Sequence, residues 1–135
     1  MRGCGKIRVL KFAICLILFV VALELMSCSS SVKIENFDAK QWKADTNACQ
    51  NSRIKLYNNI LNNKKSIISC KDERIMDYLG KPDNTIFFAR GKKTLIYSIH
   101  PNRDCPNFNA TSTPKSLRID IDGLGRAELI YLLNQ

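Results

Sequence analysis

Leu79-Gly80-Lys81-Pro82-Asp83 is the point at which this 135-residue chain changes from one kind of structure to another. Ahead of it, a helix is predicted from about Cys70 to Leu79. Ile75, Met76 and Leu79 recur at helical spacing, Asp72 and Glu73 occupy the first turn, where the helix dipole favours anions, and Ser69 is placed to cap it. Gly80 stands where a helix end calls for left-handed backbone, and Pro82 has no N–H with which to continue.

Behind the motif the period falls to two. Thr85 to Arg90, Thr94 to Ile99, Ser116 to Ile121 and Arg126 to Leu132 read as four strands. Leu95, Tyr97 and Ile99 share one side of the second, and Leu117, Ile119 and Ile121 oppose Arg118 and Asp120 in the third. Gly91-Lys92-Lys93 and Asp122-Gly123-Leu124-Gly125 are hairpin connections, so the strands form a meander. Helices first and an antiparallel sheet afterwards define an α+β domain: two to three N-terminal helices on one face of a 3-4-stranded antiparallel meander.

Upstream, Asp38 is placed to cap a short helix that carries Trp42 inward, with Phe37 packing from outside the cap. From Asn51 to Asn62, Ile54, Tyr57 and Leu61 recur at i, i+3 and i+7, Leu56 and Ile60 widen the face, and Arg53, Lys55, Asn58 and Asn59 fall elsewhere. The run Asn62-Asn63-Lys64-Lys65 is a turn and ends that helix. One connection, His100 to Lys115, is too long for a tight turn, and loops of that length are commonly functional or tied down. Cys105 in its middle offers the tie. Its expected partner is Cys49, because both lie at the edges of predicted elements, whereas Cys70 opens a helix near its apolar side. One disulfide and one buried free thiol is the simplest solution for an exported chain.

Export is what the N-terminus suggests. Arg2, Lys6, Arg8 and Lys11 precede twelve uniformly apolar residues, Phe12 to Leu23, the layout of a secretory signal and too short for a membrane span, which needs roughly 18 residues. An ordinary signal peptide cut near Ser27 and an uncleaved anchor are the alternatives, although Glu24 interrupts the apolar run. Leu25-Met26-Ser27-Cys28 resembles the lipobox of bacterial lipoproteins. That resemblance implies cleavage between Ser27 and Cys28 and a diacylglycerol thioether on Cys28, so that membrane lipid is the first partner. Residues 1–27 are then the signal, 28–35 a Ser-rich tether and 36–135 a single domain. Cleavage leaves 17 Lys and Arg against 11 Asp and Glu, a moderately basic chain suited to anionic headgroups or acidic partners; nucleic acid is not expected after export.

The helix ending in Leu79-Gly80-Lys81-Pro82-Asp83, a strand pair with Tyr97 in the second strand, and Leu117-Arg118-Ile119-Asp120-Ile121-Asp122 before a glycine turn resemble the BamE/SmpA/OmlA small outer-membrane lipoproteins. The likeness spans about Ile67 to Tyr131. It implies an α+β fold of helices on a small antiparallel sheet, attachment to the outer membrane, and assistance to the machine that inserts β-barrels. The chain departs from enteric members in lacking a Gln-Gly-Asn segment before the first helix and in its long inter-strand loop.

Motifs for chemistry are sparse. His100 is the only histidine and reads as an exposed loop residue; it cannot complete a zinc site with cysteines that lack short spacing. Asp120-Ile121-Asp122-Gly123 opens like a calcium loop but lacks the later carboxylates, so Asp120 reads as an outward strand residue and Asp122 as a turn former. Asn109-Ala110-Thr111 is a glycosylation sequon that matters only in a eukaryote. The expectation is a non-enzymatic lipoprotein of the cell envelope, without cofactor or metal, that binds a protein partner. The alternative is a periplasmic or surface inhibitor or ligand-binding module whose contact is the His100 to Lys115 loop.

Overall fold

A computed structural model of the chain describes residues 32–106, 108 and 113–134. Three helices, α1 (Ala39–Ala44), α2 (Arg53–Asn62) and α3 (Asp72–Leu79), precede four strands, β1 (Asn84–Phe87), β2 (Lys93–Ser98), β3 (Lys115–Ile121) and β4 (Ala127–Asn134). The strands pair antiparallel in the order β1-β2-β3-β4, so the fold is α+β with a meander sheet. Among the described residues no helix is long and apolar enough to cross a membrane.

The helices form where local chemistry favours them. Asp38 caps α1 by accepting from the Gln41 N–H at 2.9 Å, and Trp42, one turn in, is fully buried against Phe37 and Tyr97. α3 ends at Gly80, whose φ of +83° is left-handed, and whose N–H still reaches the Met76 carbonyl at 2.8 Å. Leu79 and Pro82 on either side are both buried. The core joins Trp42, Ile60, Ile75 and Leu79 of the helices to Leu95, Tyr97, Leu117, Ile119 and Ile121 of the sheet. Each such side chain contributes about 1.5–3 kcal/mol on burial.

Three features depart from the sequence reading. The inward face of α2 is Arg53, Leu56 and Ile60, and Ile54 is turned outward, a rotation caused by buried partners for the Arg53 guanidinium. Ser69 does not cap α3. Its φ is +67°, and the segment it belongs to pairs with the start of β4: Ser69 N–H donates to the Ala127 carbonyl at 2.8 Å and Ala127 N–H to the Cys70 carbonyl at 2.9 Å. Finally, Val32 and Ile34, within the predicted tether, are buried in the core, and the Ile34 N–H donates to the Tyr78 hydroxyl.

Candidate functional site

The motif that divides the chain also ties its two layers together. Arg53 is 1% exposed, and its guanidinium lies 5.0 Å from the Trp42 ring centre and 5.8 Å from that of Tyr97. It is held at 2.5 Å by Asp83, and it donates to the carbonyls of Trp42 and Ser98, each at 3.3 Å. Asp83 also accepts the Ser98 N–H at 2.7 Å and the Asn47 N–H at 3.0 Å. Ser98 therefore finds on these two side chains the donor and acceptor that a neighbouring strand would otherwise supply. Asp45, fully buried, accepts the N–H groups of Gln50 and Arg53 and so closes the turn into α2. Beside this network Tyr97 donates to the Gly80 carbonyl at 2.9 Å. Burial pushes its phenol well above the ordinary value; nearby Arg53 opposes that shift and Asp83 adds to it.

The long inter-strand loop is anchored to the same corner. Cys49 and Cys105 form a disulfide, and the Asn102 amide donates to the Asn47 side-chain oxygen at 3.1 Å. Between this loop and the outer face of the sheet lies an open groove of about 760 Å³. Ile96, Ser98 and Ser116 contribute to its wall from the sheet, and His100, Phe108 and Pro114 from the loop. His100 is thus half-buried in a groove rather than exposed.

At the opposite end of the sheet the two hairpins meet. An added Cβ on Gly123 would lie 2.7 Å from the Arg90 carbonyl oxygen, a contact possible only without a side chain. Around this junction Phe87, Phe88 and Leu124 project into solvent, 76%, 55% and 69% exposed. Single exposed apolar residues are ordinary, but here three are gathered at two adjoining hairpin tips. Asp122 holds the second tip by accepting the N–H groups of Leu124 and Arg126 at 2.8 and 2.9 Å. Those bonds, first that from Arg126, keep its carboxyl below the usual range. Lys71 donates to the Leu124 carbonyl at 2.8 Å, and Lys93 pairs with Asp72. Burial alone would raise the Asp72 carboxyl, but the Lys93 ammonium and the Glu73 N–H outweigh it and hold it below the usual range. Arg90 and Lys92 lie at the first tip, with Lys92 loosely bridged to Glu128 at 3.7 Å, so that basic and acidic side chains are mixed around the junction.

Of the residues singled out in the sequence, Cys28 and the Asn109-Ala110-Thr111 sequon lie outside the described residues. Cys49 and Cys105 are brought together, and Cys70 is a buried thiol donating to the Ser66 carbonyl. Asp120 accepts the Thr94 hydroxyl at 2.6 Å on the outer face, and Asp122 shapes its turn. Among the described residues no cluster of His, Cys, Asp and Glu is placed to hold a metal ion. Sequence reasoning missed Arg53 and the Phe87-Phe88 pair; two aromatic residues just before a Gly-Lys-Lys turn were the available signal for the latter. Comparison with protein-family models, curated proteins and solved structures returns no match.

Proposed function

We propose that the protein is a non-enzymatic interaction module of the bacterial cell envelope, tethered to membrane lipid through Cys28, that meets a protein partner with the hairpin end of its sheet. The observation that carries this reading is the exposure of Phe87, Phe88 and Leu124 at the two adjoining hairpin tips. Aromatic side chains presented on a stiff support lose little entropy on docking, and such residues are frequent anchors at protein interfaces. The fitting partner offers apolar pockets for these side chains. A role beside the outer-membrane β-barrel insertion machine is the specific form that the lipoprotein resemblance supports.

A photo-crosslinking side chain at position 88, activated in intact cells, tests the surface. A discrete adduct containing a β-barrel assembly component, lost on Phe87→Ser, is the expected result. Adducts unaffected by that substitution would remove these side chains from the reading. Labelling with a radioactive fatty acid tests the tether: Cys28→Ala should abolish incorporation, and equal labelling in wild type and variant would exclude the lipid anchor.

A further inference from the structure

We propose that the groove between the outer face of the sheet and loop residues 100–104, Phe108 and Pro114 is a binding site for a neutral saccharide of one or two rings. The site lies at the other end of the sheet from the hairpin tips and does not depend on the reading given to them. Its volume of about 760 Å³ falls in the range of small-ligand sites. The loop at Asn102 and Cys105 is held by the Cys49–Cys105 disulfide and the Asn102–Asn47 hydrogen bond.

The group that points to a ligand is Ser116. It is 6% exposed, it lines the groove, and among the described residues its hydroxyl has no hydrogen-bond partner. A buried hydroxyl left unpaired carries a desolvation penalty that a bound acceptor or donor removes. Among the described residues, the other buried donors without partners, Trp42 Nε1 and Arg118 Nε, do not line the groove and give no such direction.

Charge and backbone accounting narrow the chemistry. Asp83, the acidic residue at the groove's inner end, is already matched by Arg53, and on the loop Arg103 and Asp104 are adjacent and opposite in sign. The ammonium of Lys115 sits 5.6 Å from the Tyr57 ring centre, on the helix side of the sheet. No net charge is therefore left to select an ion. An extended peptide would need free main-chain groups along the wall, yet the Ser98 N–H and carbonyl are taken by Asp83 and Arg53. What the groove offers instead is side-chain hydroxyl, amide and imidazole groups from Ser116, Ser98, Asn84 and His100, beside the apolar surfaces of Ile96 and Phe108. A ring with hydroxyls on its edge and C–H groups on its face matches both kinds of surface.

The test is amide NMR of the full chain in detergent, titrated with chitobiose, with triglycine and sodium decanoate as comparison ligands. Chitobiose should shift the Ser98, His100, Phe108 and Ser116 signals saturably with a Kd in the millimolar range, of order 1 mM. Ser116→Ala should weaken binding about fivefold or more while leaving the melting temperature unchanged or raised, because it deletes an unpaired buried group. A purely structural serine would not separate those two readouts. Phe108→Ala should weaken binding independently, and Phe88→Ser should leave it untouched. The proposal is overturned by the absence of saturable shifts, by triglycine or decanoate binding in place of chitobiose, or by unchanged affinity in Ser116→Ala.

Discussion

Replacing Asp83 should be among the most damaging single changes available to this fold. Its two carboxylate oxygens accept three donors, from Arg53, Ser98 and Asn47. Asp83→Ala leaves a guanidinium that is 1% exposed without its counter-charge, and two main-chain N–H groups without acceptors. Removing one partner of a buried ion pair typically destabilises by ~3–5 kcal/mol. For a domain of this size that corresponds to a fall in Tm of roughly 12 °C or more. Asp83→Asn should recover little, because a single amide oxygen faces three donors and the amide nitrogen adds a fourth. Arg53→Met should be milder, about 2–3 kcal/mol, since the carboxylate keeps both N–H donors and the methionine fills the slot between Trp42 and Tyr97.

Trp42 is the chain's only tryptophan and lies under the guanidinium, so its fluorescence reports urea unfolding at the relevant place. The double variant Arg53→Met/Asp83→Leu should regain much of the Asp83→Ala loss, but not all, because Ser98 and Asn47 remain unpaired. Losses below about 1 kcal/mol in both Asp83→Ala and Asp83→Asn would refute the assignment of the ion pair as the tie between layers.

Three further outcomes follow from other parts of the molecule. Reduction of the disulfide, or Cys49→Ser with Cys105→Ser, should lower stability by up to about 4 kcal/mol from a loop separation of 56 residues, read as a shift in the urea midpoint between oxidised and reduced protein. The buried Tyr97 phenol has a raised folded pKa, so its contribution is complete below the unfolded value near pH 10 and is lost as pH rises beyond it. Tyr97→Phe should therefore show a shallower alkaline loss of stability in denaturation curves between about pH 9 and 11. Gly123→Ala must move the Arg90 carbonyl; hydrogen exchange at residues 88–92 and 122–126 should accelerate, and unchanged protection there would show that the hairpin tips are not held by this contact.

The strand half of the fold was largely legible because alternation is a strong signal when one sheet face is buried, and the boundaries differ by only a few residues. The disulfide partners were accessible because, with Cys4, Cys15 and Cys28 set aside, only Cys49, Cys70 and Cys105 remained, and Cys105 lies in a loop that needed an anchor. Arg53 was not, because a charged residue beside an apolar stripe is ordinarily solvated, and nothing local to α2 announces a carboxylate 30 residues away. The same long-range contact moved Ile54 to the surface. Ser69 misled for a related reason: it is chemically fit to cap a helix, but its neighbours pair across to β4, and tertiary pairing prevailed over local capping.

The Leu79-to-Asp83 motif then has a use beyond stopping a helix. Because Pro82 cannot donate a main-chain hydrogen bond, the chain cannot extend β1 backwards as a regular partner for the last residues of β2. Asp83 and Arg53 complete Ser98 instead, with side chains in place of a strand. The edge strand stays four residues long, its register begins at Asn84, and the surface beyond it is left for the disulfide-held loop to roof. The combination of a proline, a buried acid and a distant arginine therefore links the helix stop, the attachment of the two layers, and the open groove at one corner of the sheet.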